Sequence, residues 1–162
     1  MQVLLCVGED AASLAPTLVT AWREAAPSCE VRVVALPDPA SPGGSHRAPD
    51  RPAAGVFVPL EALGLVSVAG PGEGPLSAPA AASDLVVVHL AVLDGTTLRE
   101  GRVPAAVAAG APHAVPVVVL AGRSEVSRRE WSGAGVSGVH ETGDDLVAAT
   151  ARVARTWAPS WA

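Results

Sequence analysis

The densest group of polar side chains that could do chemistry follows an apolar run that begins at Leu85. It contains one carboxylate, two hydroxyls and two guanidinium groups: Asp94, Thr96, Thr97, Arg99 and Arg102. An arginine can bind a phosphate or a carboxylate through two parallel hydrogen bonds. The segment therefore predicts a site for a small anion, with an ordinary solvated loop as the alternative.

Two smaller polar groups follow other apolar runs. Glu9 and Asp10 come directly after the first run, where they could hold Mg²⁺ or a substrate hydroxyl, or could act only as partners of a helix dipole. Arg123 follows Ala121 and Gly122 at the end of a later run. It predicts either a second anion contact or a surface charge.

Other motifs with a known chemistry are missing. The glycine-rich segment 70–74 resembles a phosphate-binding loop, but Pro75 and Pro79 follow it, so a simple turn is favoured. The sequence has no Walker-type lysine loop, nucleophile elbow or dinucleotide fingerprint. Three histidines and both cysteines lack metal-ligand spacing, which predicts structural or surface roles and no metal site: His89, His113, His140, Cys6 and Cys29.

Composition limits the class of protein. A chain of 162 residues fits one domain. Its formal net charge of -5 and its lack of lysine argue against nucleic acid as a partner. The apolar stretches fall short of the ~20 residues that span a bilayer, and the start carries no recognisable signal peptide, so we expect a cytoplasmic protein with no membrane segment.

The elements that must position these groups alternate between strand and helix. Five apolar runs predict strands: Val3–Val7, Val31–Leu36, Leu85–His89, Val115–Leu120 and Val136–His140. Between them lie segments of helical period, one behind a possible Ser13 cap and one behind a capping box of Ser127 and Glu130. We expect an α/β, Rossmann-like, three-layer sandwich of about five parallel strands in a single domain, with loops at 37–54 and 70–82.

Several phrases in this order resemble the two-domain bacterial glycerate kinases, which phosphorylate glycerate with ATP and Mg²⁺. The specific match runs from Ser83-Asp84-Leu85-Val86-Val87, through Leu93-Asp94-Gly95-Thr96-Thr97-Leu98 and Gly101-Arg102-Val103-Pro104, to Val115-Pro116-Val117-Val118-Val119-Leu120-Ala121-Gly122-Arg123. In the family, the corresponding segments are a Thr-Gly-Glu-Gly-x-x-Asp signature, a Gly-Lys-x-Pro and a Pro-Val-(Val/Ile)-x-Leu-Ala-Gly. About two thirds of the chain is covered.

The resemblance implies a catalytic Asp94, Mg-ATP as cofactor, and contacts to substrate or phosphate from the other polar groups: Glu9, Asp10, Thr96, Thr97, Arg102 and Arg123. The departures imply impaired or absent kinase activity. Only Asp94 remains of the signature, Arg102 replaces the family lysine, and the Pro/Gly-rich loop 37–54 lies where a second domain is missing.

Three functions follow as hypotheses. The first is a degenerate glycerate kinase that is silent or binds a small anion such as glycerate or a nucleotide. The second is a residual kinase completed by a partner subunit or a homodimer mate. The third is a protein-interaction module anchored by Trp157 and Trp161, although core packing is the favoured role of Trp157.

Overall fold

The computed structural model describes residues 1–37 and 74–158. They contain one sheet of five strands: β1 (Gln2–Gly8), β2 (Glu30–Leu36), β3 (Leu85–Leu93), β4 (Val117–Ser124) and β5 (Gly138–Glu141). The order across the sheet is β2-β1-β3-β4-β5, and every neighbouring pair is parallel. The predicted α/β, Rossmann-like sheet of five parallel strands is confirmed. All but the first residue of the predicted loop 37–54 lies outside the described residues.

Five α-helices accompany the strands: α1 (Ala15–Ala25), α2 (Ser77–Ala81), α3 (Arg102–Gly110), α4 (Arg128–Gly133) and α5 (Leu146–Trp157). Side chains of a strand alternate between the two faces of a sheet, so β1 contributes to two separate cores. Val3, Leu5 and Val7 pack in one core with residues of α1 and α5. Leu4 and Cys6 pack in the other with residues of α2 and α3. The result is a three-layer sandwich.

The central strand β3 is longer than the predicted Leu85–His89. Its residues from Leu85 to Leu90 are all buried, as expected for a parallel strand with helices on both faces. The strand continues to Leu93 because β4 also continues and pairs with it as far as Ser124. His89 therefore lies inside the strand, and Asp94 follows its true end.

Two local predictions were wrong. Ser13 does not cap the first helix: a 3₁₀ helix at Glu9–Leu14 directly follows β1, so the backbone is already helical before α1, whose cap position is Leu14. Part of the predicted loop 70–82 is helical: α2 spans Ser77–Ala81, and both its Ala80 and the preceding Leu76 are buried in the core. Pro79 is tolerated because the first helical turn has no partners for its N–H groups.

The capping box of α4 is confirmed. The Ser127 hydroxyl accepts a hydrogen bond from the Glu130 backbone N–H at 3.4 Å, and the Glu130 carboxylate accepts one from the Ser127 N–H at 2.8 Å.

Among residues 1–37 and 74–158, no helix has both the length and the apolar character required to cross a membrane.

Candidate functional site

The carboxyl ends of β1 and β3 flank a cleft of about 510 Å³. In a parallel sheet of this order, the chain turns to one side after β1 and to the other after β3, and ligands bind at this switch point. We call this region the switch-point cleft; its polar lining consists of Asp10, Ser13, His89, Asp94, Thr97 and Arg102. Four of these six residues were predicted as site residues from the sequence.

Within residues 1–37 and 74–158, Arg102 is the only arginine or lysine in the lining of the switch-point cleft. It is the first residue of α3, and its side chain is only 10% exposed. Its Nη1 lies 3.8 Å from Oδ1 of Asp10, whose side chain is 66% exposed. Asp10 reaches this position from the 3₁₀ helix that follows β1. Asp10 and Arg102, which are 92 positions apart in the sequence, thus form one charged pair.

Gly8 allows the guanidinium to lie against the backbone at the end of β1. A Cβ on Gly8 would overlap both the Arg102 guanidinium and the Asp10 carboxylate. On the other side, Gly101 precedes α3 with φ 81° and ψ −131°, a conformation that is essentially restricted to glycine. Two glycines therefore fix where Arg102 can sit.

His89 is 6% exposed and lies on β3 at the floor of the switch-point cleft. Its Nδ1 is buried and has no hydrogen-bond partner within the described part of the chain. Burial and the nearby Arg102 charge lower the pKa of His89, while the Asp10 carboxylate acts in the opposite direction. The imidazole is therefore neutral at pH 7.

Asp94 organises the turn that follows β3. Its Oδ1 accepts hydrogen bonds from the backbone N–H of Thr96 (2.9 Å), the backbone N–H of Thr97 (2.8 Å) and the Thr97 hydroxyl (3.1 Å). These bonds, led by those from Thr97, hold the pKa of Asp94 below its usual value of 3.8. Asp94 is consequently an ionised carboxylate, and its visible role in the fold is to cap this turn.

The structure does not place every predicted site residue in the cleft. Glu9 is exposed and is absent from its lining. Thr96 is also absent from the lining, and its backbone N–H donates a hydrogen bond to Asp94. Arg123 is 69% exposed and forms an ion pair with Glu125 at 2.8 Å, outside the lining of the cleft. Of the three predicted arginines, Arg99, Arg102 and Arg123, Arg102 alone is in the lining of the switch-point cleft.

His89 was missed as a site residue. The sequence predicted a structural or surface role for His89, because a single histidine in an apolar run lacks the spacing of metal ligands. The available signal was its position near the carboxyl end of a predicted strand, where parallel sheets place their ligands.

Among the described residues, no group of three or more His, Cys, Asp or Glu residues could hold a metal ion.

Trp157 belongs to the packed part of the molecule. Its Nε1–H donates a hydrogen bond to Nε2 of His140 at 3.0 Å, and its indole ring lies against Gly138. These contacts support the packing role over that of an exposed anchor. Trp161, the other predicted anchor, lies outside the described residues.

The fold and the site together define an α/β, Rossmann-like domain with a polar cleft at the switch point of its sheet. No protein-family model and no curated protein matches this chain.

Proposed function

We propose that this protein binds a small hydroxy acid such as glycerate in the switch-point cleft, and that it does not transfer phosphate. The observation that carries the proposal is the Arg102 side chain, which is only 10% exposed, in a cleft that also presents Asp10, His89 and Asp94. An arginine shielded from water binds a carboxylate more strongly than an exposed one, because the local dielectric is lower.

The charge balance of the cleft favours this class of ligand. In the described part of the lining, one guanidinium is accompanied by two carboxylates, and these repel a polyanion more than a ligand with a single carboxylate. A hydroxy acid has a single carboxylate for Arg102, and its hydroxyls can donate hydrogen bonds to carboxylate or imidazole acceptors. Glycerate, with one carboxylate and two hydroxyls, has this combination.

The same residues fit Mg-ATP poorly. Magnesium requires oxygen ligands in near-octahedral geometry, whereas Oδ1 of Asp94 already accepts three hydrogen bonds from its own turn. The chain also contains no lysine to neutralise transferring phosphates. These observations support a degenerate relative of the glycerate kinases that binds the acid and has lost catalysis.

The first test is thermal unfolding in the presence of glycerate, lactate, malate, Mg-ATP and Mg-ADP, each alone. Saturation at 100 times Kd adds about 2.7 kcal/mol to the free energy of unfolding, which raises Tm by roughly 2 to 4 °C or more. We expect a shift with glycerate and a weaker one with acids that lack its second hydroxyl.

Arg102→Gln should abolish the glycerate shift, because it removes the guanidinium that would bind the ligand carboxylate. Arg123→Gln is the matched control, since Arg123 is exposed and lies outside the lining; its glycerate shift should equal that of the wild type. A shift with Mg-ATP alone would favour the kinase hypothesis instead. No shift with any of the acids would refute the proposal.

A further inference from the structure

The switch-point cleft has a charge imbalance that a bound acid would increase. Among the described residues of its lining, Asp10 and Asp94 oppose the positive charge of Arg102, and a ligand carboxylate would add a third negative charge. Asp94 is a poor proton acceptor near neutral pH, because its turn stabilises the ionised form through Thr97 and Thr96. Some other group must compensate the added charge.

His89 is the cleft residue suited to this task. It is more than nine-tenths buried, lines the same cleft as Arg102 and Asp10, and keeps a buried Nδ1 without a partner in the described ranges. Histidine is also the side chain whose proton is exchanged most easily between pH 5 and 8. A neutral imidazole with an unused nitrogen can therefore gain both a proton and a hydrogen bond.

We propose that an acid binds in this cleft together with one proton, which His89 takes from solvent to form an imidazolium beside the ligand carboxylate. The only covalent change is one new N–H bond on the imidazole, and its proton comes from the bulk solvent. This inference rests on the proposed function and adds a coupling between ligand affinity and pH.

The charged groups around His89 determine the sign of the coupling. In the free protein, burial and Arg102 hold the pKa of His89 below its usual 6.5, against the smaller opposing influence of Asp10. A ligand carboxylate within ~4–6 Å favours the charged imidazole and shifts a pKa by about one to three. Since one pKa unit corresponds to a factor of ten in an equilibrium constant, affinity should be about tenfold higher at pH 5.5 than at pH 8.

The direct test is a pH titration of the histidine ¹³Cε1 and ¹Hε1 resonances by NMR, with and without saturating glycerate. The chain has four histidines, so assignment through His89→Gln and His140→Gln is simple. We expect the pKa of His89 to rise by about one or more on binding. The pKa of His140, which lies outside the lining of the cleft, should not move.

Calorimetry supplies a second measurement that needs no variant. At pH 7, glycerate is titrated into the protein in phosphate and in Tris, two buffers with different enthalpies of ionisation. If binding takes up a proton from the buffer, the apparent binding enthalpies in the two buffers should differ. Glycerate itself remains ionised from pH 5.5 to 8, because carboxyl pKa values lie near ~4. In His89→Gln the pH dependence of Kd should disappear.

The outcomes separate the two proposals. Binding of glycerate without proton uptake, or with an unchanged pKa of His89, would overturn this inference and leave the proposed function standing. Absence of glycerate binding at pH 5.5, 7 and 8 would overturn both. Binding with proton uptake that persists in His89→Gln would assign the proton to another group and would also reject the role of His89.

Discussion

Gly8 controls how closely Arg102 can approach the end of β1. The space that a side chain on Gly8 would need is filled by the Arg102 guanidinium and the Asp10 carboxylate. These are the ends of side chains, so they can be displaced without moving the backbone. The absence of a side chain at Gly8 thus determines where the charges of Arg102 and Asp10 lie in the cleft.

Gly8→Ala should therefore harm binding more than folding. We expect a loss of about 1 kcal/mol in unfolding free energy, and a decrease of about tenfold or more in glycerate affinity, because displaced charges are no longer aligned with the ligand. Denaturant unfolding and calorimetry measure the two quantities. Gly133→Ala is the control, since a Cβ there meets nothing within 4 Å; an equal effect in both variants would contradict the role of Gly8.

At the scale of elements, the entry into α3 determines the direction of the Arg102 side chain. Gly101 holds φ 81° and ψ −131° immediately before the helix, and Arg102 is the first helical residue. The turn after β3, which is closed by hydrogen bonds between Asp94 and Thr97, precedes Gly101 in the connection to α3. Two consecutive local structures therefore orient one guanidinium.

Gly101→Ala should destabilise the fold by about 1 to 3 kcal/mol, because a side chain is strained in this backbone conformation. Urea denaturation with linear extrapolation gives the free energy of unfolding. Gly95→Ala is the matched control in the same connection, since the nearest atom to its Cβ would be Nη1 of Arg99 at 3.8 Å. Comparable losses in the two variants would show that the conformation of Gly101 is not required.

At the scale of the whole molecule, two histidines couple the stability of the fold to pH. His89 lies within β3 and is buried, and His140 accepts the Trp157 Nε1–H bond on edge strand β5. Burial lowers the pKa of both, with Arg102 and Arg152 respectively acting in the same direction. Both imidazoles are therefore neutral in the folded protein at pH 7.

The free energy of unfolding should decrease as pH falls below about 6.5. An unfolded histidine gains its proton near its ordinary pKa of 6.5, whereas the folded protein resists protonation until a lower pH. Between those values the unfolded state binds more protons, so acid favours unfolding. Thermal unfolding from pH 8 to 5 measures this dependence.

Substitution at His140 should identify its share of the pH effect. His140→Gln keeps an acceptor for Trp157 but cannot be protonated, so Tm should decrease less between pH 6.5 and 5 than in the wild type. His113→Gln, at an exposed position, is the control. A wild-type Tm that stays constant from pH 7 to 5 would contradict the lowered pKa values.

Much of the architecture is determined locally and could be predicted. Each of the five apolar runs forms a strand, and the box of Ser127 and Glu130 begins α4, because burial of apolar residues and helix capping depend on near neighbours in the chain. Strand ends were less accurate. β4 begins at Val117 instead of the predicted Val115. The preceding Pro116 has no N–H to donate to a neighbouring strand, although its carbonyl accepts a hydrogen bond from the Val86 N–H.

The sequence by itself placed Asp94 and Arg102 after a strand and Arg123 near the end of another, and it indicated that all strands end at one edge of the sheet. Only the tertiary structure decided which of these groups meet. Strand order depends on how each connection crosses the sheet, and it places the switch point between β1 and β3. Asp10 and Arg102 therefore come together around the buried His89, while Arg123, at the end of β4, pairs with Glu125 on the surface.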